Sequence, residues 1–221
     1  MSNYNRIRRE VLDSSHWLAE HGYLGQLSSG GNISARVPGE KNVVITPSGR
    51  SYFSLKPNDI CVIDFDQNAI EGSLSPSIEA GMHIGIYQNR PDVNAVIHTH
   101  QPFASVLAVI GKPIPALLDE ITVEIGHVVD IVPYAYSGTS ELVNNVIGKL
   151  DNACHCHLIQ NHGALSLGTD MQHAMKNAEL LEHVATIYYH ALATGEKIQE
   201  LPPTAIEYFA DMRKLRVKKA D

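Results

Sequence analysis

The chain lacks any apolar run approaching the roughly 20 residues that a membrane helix needs, so no transmembrane span is expected. No secretory leader is expected at its start either. The opening MSNYNRIRREVLDSSHWLAEHGYLG is polar and then amphipathic, without an apolar centre or a small-residue cleavage site, and the expected compartment is the cytoplasm. Cysteine is scarce: 3 in 221 residues, two of them one residue apart. An odd count at that spacing argues against a disulfide framework, and the thiols are expected to be reduced. Positive charge is in deficit, with 17 Lys and Arg against 24 Asp and Glu and a net charge of -7. The acids are scattered, so nothing draws nucleic acid electrostatically. The one basic cluster, MRKLRVKK, reads as a solvated helix end. Repeats, low-complexity tracts and Pro/Gly/Ser linkers are missing as well, so residues 1–221 are expected to form a single domain.

Histidine, by contrast, is abundant, at 12 residues. It titrates near neutrality and ligates metals, so each placement carries information. Ile7, Val11, Leu12, Ser15 and Leu18 recur at helical spacing up to Gly22 and predict an amphipathic first helix. NISARV, NVVITPSG, ICVIDFD, DVNAVIHTH and CHLIQN read as short strands. SPSIEAGMHIGIYQNR reads as a helix capped by Ser75 with Pro76 at its first position, and DMQHAMKNAELLEHVATIYYHALATG as a long helix ending at Gly195. Strands mixed with helices throughout indicate α/β layering around a mixed sheet.

Two His-x-His patterns stand out. In AVIHTHQ, His98 and His100 project from the same face at the end of a strand, with Thr99 turned away. That geometry suits two imidazoles on one zinc-like ion, and equally two histidines that hydrogen-bond at a strand end. In NACHCHLIQNHG, His155 and His157 share one face while Cys154 and Cys156 share the other. CHCH begins its strand, whereas HTH finishes its own, and open α/β sheets place ligands outside the carboxyl ends of strands. His162 also stands at a carboxyl end, so topology groups His98, His100 and His162. Structural zinc sites favour Cys-x-x-Cys with a second pair, which Cys154 and Cys156 do not supply, and they read as buried thiols. A zinc module built on CHCH is the competing reading.

Glu79 is predicted in the first turn of its helix, with His83 four residues on along the same face. It serves there either as a complement to the helix dipole or as a general acid and base beside a metal. The amides of Ser77 and Ile78 at that helix start, and the glycines and hydroxyls of SSGGNIS and TPSG, suit a phosphate or carboxylate.

Taken in order, SSGGNIS, ITPSG, SPSIEAGMH, VIHTH, IP, PYAYSGT and NHG resemble the class II aldolase/adducin family, from about residue 5 to residue 195. The resemblance implies a three-layer α/β/α sandwich around a mixed, mainly antiparallel sheet. It implies that His98, His100 and His162 hold a divalent metal, usually zinc, although three imidazoles also suit manganese or cobalt. Glu79 is then the acid/base, and glutamate rather than aspartate there leans toward the aldolases over the 4-epimerases. Gly31, Asn32, Ser48, Gly49 and Ser77 match residues that hold the substrate's phosphate. The implied activity is carbon-carbon lysis through a metal-stabilised enediolate, in carbohydrate metabolism, by a homotetramer with active sites between subunits. Two departures qualify the match. Ile78 replaces a serine of the anion pocket, a lost hydrogen bond to a charged group worth roughly 1.5 to 3 kcal/mol. IPALLDE, with Asp119 and Glu120, stands where the fuculose aldolase carries a proton-donating tyrosine, and Tyr208 is a weak candidate to close a neighbouring site. Decarboxylation of a keto or hydroxy acid is the alternative on the same fold, so the substrate is expected to be phosphorylated or carboxylated. A non-catalytic interaction domain like the adducin head would lack metal ligands that stand in place here.

Overall fold

The computed structural model describes residues 3–25 and 30–217. Ser28 and Ser29 of the first glycine motif lie outside them, as do Lys218 and Lys219 of the basic cluster and all side chains from residue 214 onward. The first helix, α1 (Asn3–Glu20), buries the stripe expected of it: Ile7, Val11, Leu12, Ser15 and Leu18 are all interior. Gly22 ends it in the left-handed region, at φ 76°. The Tyr23 amide thereby reaches the Leu18 carbonyl at 2.9 Å and the Gly22 amide reaches Ala19 at 3.1 Å, which satisfies carbonyls that the helix end leaves open.

Among the described residues nine strands form one open sheet. They are β1 (Asn32–Arg36), β2 (Asn42–Ile45), β3 (Cys61–Asp64), β4 (Ala69–Glu71), β5 (Ala95–Thr99), β6 (Ile114–Pro115), β7 (Val128–Val132), β8 (Cys156–Ile159) and β9 (Gly163–Gly168). Their order is β4-β3-β2-β1-β5-β9-β8-β7-β6. Only the β7–β8 pairing is parallel among them, and its crossover carries the helix α5 (Ser140–Ile147), because parallel neighbours cannot be joined by a tight turn. The remaining helices are α2 (Ala80–Asn89), α3 (Pro102–Val109), α4 (Asp119–Glu124), α6 (Met171–Ala193) and α7 (Pro203–Val217).

The period-2 alternation of the strands sorts their residues between two helical layers. Ile33, Ile97 and Ala164 point to the side where α1, α3 and α6 pack, and Val96, Leu165 and Leu167 to the side covered by α2 and α5. The result is the expected α/β/α sandwich with a mixed, mainly antiparallel sheet. Among the described residues no helix is long and apolar enough to cross a membrane.

One helix begins later than its sequence suggests. Ser75 does not cap α2 and Pro76 does not open it; the first helical residue is Ala80, with Glu79 at the N-cap position. Pro76 instead bridges Pro47, flanked by the Ser77 amide on the Thr46 carbonyl (3.1 Å) and the Ser48 amide on the Ser75 carbonyl (3.0 Å). A proline is tolerated in a first helical turn or beside a strand for the same reason, its missing N–H, and here the extended partner prevails. The Ser77 amide is consequently spent on Thr46.

Candidate functional site

Three histidines reach one end of the sheet by different routes. His98 lies in β5 opposite Asn32 on one side and Leu165 on the other, which turns it toward the layer containing α2. His100 follows just past the strand end. His162 comes from the β8–β9 turn, where Asn161 is left-handed (φ 55°) and the His162 amide donates to the Ile159 carbonyl at 3.1 Å. The next position admits only glycine: a Cβ on Gly163 would lie 2.4 Å from the Thr99 carbonyl oxygen and 2.7 Å from the His100 ring. The His-Gly pair is thus a packing requirement of the turn that delivers the third ring.

The donor atoms converge. His98 Nδ1 is 2.9 Å from the Ala164 carbonyl, which can only accept, so that nitrogen carries the proton and Nε2 presents its lone pair. This Nε2 lies 3.2 Å from Nε2 of His100 and 3.2 Å from Nε2 of His162. Two nitrogens on one tetrahedral zinc at the usual ~2.0–2.1 Å are about 3.3 Å apart. Each of the three rings offers a donor atom within 4.8 Å of the others. Burial, reinforced by His98, pushes His100 and His162 down to about 4 each, so at neutral pH both are the uncharged bases that ligate metals. The donor set fits a divalent cation.

Glu79 stands beside it. One carboxylate oxygen, Oε2, accepts from the Asn32 amide at 2.8 Å and lies 3.4 Å from His98 Nε2. The other, Oε1, is buried without a hydrogen-bond partner, 3.5 Å from His162 Nε2. Burial alone would raise the carboxyl's pKa, but His98, His162 and the Asn32 amide outweigh it and hold the group below its ordinary range. A groove of about 310 Å³ opens behind Glu79, between Ile78, Gly81 and Gly85 on one side and Val143 and Ile147 on the other.

The residues matched to an anion pocket are placed unequally. The antiparallel Pro47–Pro76 bridge sets half-buried Ser48 opposite Ser75 and Ser77 opposite Thr46, and Gly49 beyond Ser48 is exposed. The Ser77 hydroxyl accepts from the Glu79 amide at 3.2 Å. Gly31 is left-handed (φ 70°), and a Cβ there would sit 2.3 Å from the His98 carbonyl. Asn32 is buried and committed to Glu79 and His83 rather than open to a ligand. Ile78 is 65% exposed, an apolar side chain at the site's mouth. Asp119 and Glu120 are exposed at the head of α4, and Tyr208 is exposed on α7.

Sequence reasoning left unassigned the polar residues behind the site. Ser34 and Tyr87 join His83 in a buried hydrogen-bonded row that ends at Asn32. Their signal is present as spacing: Glu79, His83 and Tyr87 fall at i, i+4 and i+8 of one helix face, and Asn32 and Ser34 at i and i+2 of one strand face. Ser137, within the PYAYSGT stretch, lies 3.4 Å from His162 Nε2, a placement that the motif alone does not indicate.

The profile described as "Class II Aldolase and Adducin N-terminal domain" matches residues 9–189. The chain belongs to the class II aldolase and adducin family. Among family members, it is 36% identical over 183 residues to the 5-deoxy-D-ribulose 1-phosphate aldolase of Bacillus thuringiensis serovar kurstaki, covering 82% of this chain and 84% of that one. It is 32% identical to the L-fuculose phosphate aldolase of Escherichia coli K12, over 89% of each chain. A solved structure, L-fuculose 1-phosphate aldolase, superposes with a TM-score of 0.86 at 34% identity, covering 95% of this chain and 96% of that one.

Proposed function

We propose that this chain is a divalent-metal-dependent carbon-carbon lyase, an aldolase that cleaves a phosphorylated or otherwise anionic hydroxy-ketone. The observation that carries the reading is the convergence of three imidazole Nε2 atoms beside a buried carboxylate with one unpartnered oxygen. His98, His100 and His162 would hold the cation, with zinc the first expectation and manganese or cobalt the alternatives. When bound, the cation supplies Lewis-acid stabilisation of the negative charge that the ketone fragment's oxygens acquire as the bond breaks. Glu79 moves the proton at the ketone fragment's reacting carbon, and Oε1 is the oxygen free to carry it. Ser48, Gly49 and Ser77, on the two segments joined by the Pro47–Pro76 bridge, are the residues that would hold the substrate's anion. The reading carries with it a single domain in the cytoplasm and a homotetramer with active sites between subunits. Exposed Ile78 and Tyr136, flanking Gly138 and Ser137, are side chains that such a neighbour would cover.

One observation favours a second reading. Exposed Ile78 places an apolar side chain where a hydroxyl would serve a phosphate, which suits a decarboxylase acting on a keto or hydroxy acid. The discriminating experiment incubates the metal-loaded protein with phosphorylated and free ketoses and with keto acids, scoring aldehyde and carbon dioxide separately. Aldehyde release that a chelator abolishes, and that borohydride with substrate leaves intact, is expected. Turnover that persists after thorough demetallation overturns the metal-dependent reading, and carbon dioxide without aldehyde selects the second.

A further inference from the structure

We infer that His83 is a positioning residue for Glu79, acting through a one-way hydrogen-bond chain that runs Tyr87, Ser34, His83, Asn32, Glu79. The five residues lie on the seam between α2 and β1, and the first four are almost wholly buried, at 1%, 0%, 0% and 4% exposure respectively. The inference rests on the reading of Glu79 as the proton carrier and says how the protein selects which of its oxygens does that work.

The direction of every proton follows by elimination from the carboxylate outward. Glu79 Oε2 only accepts, so the Asn32 group 2.8 Å away is its NH2, and the Asn32 carbonyl oxygen is turned the other way. That oxygen also only accepts, so the His83 Nε2 at 2.5 Å carries a hydrogen. Full burial keeps the imidazole neutral, pushing its pKa down to about 3, so the ring has one N–H and Nδ1 is a bare lone pair. The Ser34 hydroxyl at 2.6 Å therefore donates to Nδ1, and its oxygen accepts from the Tyr87 hydroxyl at 2.7 Å. Each donor points toward Glu79. Were the Asn32 amide flipped, its oxygen would face the carboxylate oxygen, a repulsive contact in a dry site whichever nitrogen of His83 then carried the proton.

The consequence for the site is asymmetry between the two carboxylate oxygens. Oε2 is held by a donor whose own orientation is locked two residues deep, and Oε1 remains without a protein partner, 3.5 Å from His162 Nε2. The helix supplies the Glu79, His83, Tyr87 stripe and the strand supplies Asn32 and Ser34, so the chain also ties the start of α2 to the strand paired with His98.

Two measurements on the metal-loaded protein test this. Nitrogen-15 NMR of histidine-labelled protein reads the tautomer directly, and His83 is expected as the neutral ring with its proton on Nε2. His83→Leu is expected to lower kcat by about 10- to 100-fold with KM and metal content within about twofold of wild type, as for other residues that orient a working group through a neighbour. His83→Gln, whose amide nitrogen can donate to Asn32, is expected to recover most of that loss. Ser34→Ala gives a smaller loss, roughly two- to fivefold, and mixes the two His83 tautomers. A proton on Nδ1 in wild type, or a folded, metal-loaded His83→Leu protein with wild-type kcat, overturns the inference. If His83→Leu does not fold, the wild-type tautomer and Ser34→Ala decide. Absence of any carbon-carbon cleavage by wild type would defeat the functional reading instead, and leaves the tautomer measurement to judge the chain on its own.

Discussion

His98-Thr99-His100 and His155-Cys156-His157 repeat one spacing at opposite ends of the sheet. Both β5 and β8 are antiparallel to β9, so they run in the same direction, and the first pair ends its strand while the second begins its own. At the first end, His98 Nδ1 is tied to a carbonyl, the Nε2 atoms of two further rings approach to 3.2 Å, and a carboxylate stands alongside. At the second end the rings diverge in their partners. His155 Nδ1 meets the Glu124 carbonyl at 3.0 Å and the ring stacks edge-on to His173. His157 is fully buried with no well-formed hydrogen bond to either nitrogen. The thiols face away from both: Cys154 Sγ lies 3.7 Å from His127, and Cys156 Sγ lies between Ser166 and Asn177. Among the described residues only the first end gathers three ligand-type side chains within 4.8 Å. Spacing supplies two rings on one face, and convergence and a fixed tautomer are what make such a pair fit a metal.

The strongest way to break the comparison is to remove one ring from each end. His98→Ala is expected to lose the bound metal and at least about 10³-fold in kcat/KM, since Lewis-acid stabilisation is worth several kcal/mol. His157→Leu should keep both metal stoichiometry and activity. Elemental analysis of the two purified variants, alongside the cleavage assay, reads the contrast. Metal lost from the His157 variant and retained in the His98 variant would reverse the assignment of the two ends.

How much of this was legible follows from what is local. The α1 stripe needs only a 3.6-residue period, and Ile7 through Leu18 are buried as read. The grouping of His98, His100 and His162 needed strand direction as well, which the positions of HTH and NHG within their apolar runs supplied. β9 carries little strand signal because GALSLG has a glycine at each end and alternates small with large residues; its place is set by pairing on both sides with β5 and β8. The start of α2 departs from the sequence expectation because Pro76 suits a first helical turn and a bridge equally, and the deciding Thr46 carbonyl lies about thirty residues away in sequence. The row behind Glu79 was invisible for a related reason. Ser34 and Tyr87 become neighbours only after β1 takes its register beside β5 and α2 packs across that face.

A change of pH sharpens the comparison at intermediate size. Burial, reinforced by the positive charge of Arg90, pushes His157 down to about 4, against ~6.5 for an unfolded histidine. Above the unfolded value the ring is neutral in both states and nothing differs. As pH falls from about 6.5 to about 4, the unfolded chain takes up a proton that the folded ring refuses, so stability is lost through that window. At about pH 5 this ring alone accounts for roughly 2 kcal/mol. His157→Leu removes the titration and the unpartnered ring nitrogens together. Urea unfolding of the variant should therefore show a drop in stability between about pH 7.5 and pH 5 that is roughly 2 kcal/mol smaller than in wild type. His155, also pushed down to about 4 by burial, continues to titrate in both proteins. Equal acid-side slopes would mean that His157 is protonated or solvated in the fold, and would remove the contrast between the ring at the second end and those that converge at the first.

The smallest expected effect belongs to Cys156, and it bears on the competing idea that CHCH itself holds a metal. Its thiol is fully buried, and burial pushes its pKa up to about 12, so it is an uncharged S–H at any pH the protein meets. A zinc ligand is the thiolate, and here the S–H has the Ser166 hydroxyl and the Asn177 carbonyl as acceptors, each at 3.6 Å. Cys156→Ala should therefore cost about 1 kcal/mol of stability, the price of a small cavity, with metal content and cleavage rate unchanged. The folded wild-type thiol should resist alkylation until denaturant opens the fold. A variant that loses its metal, or a thiol protected from alkylation by added zinc, would establish a metal at the second end and make the two His-x-His segments equivalent after all.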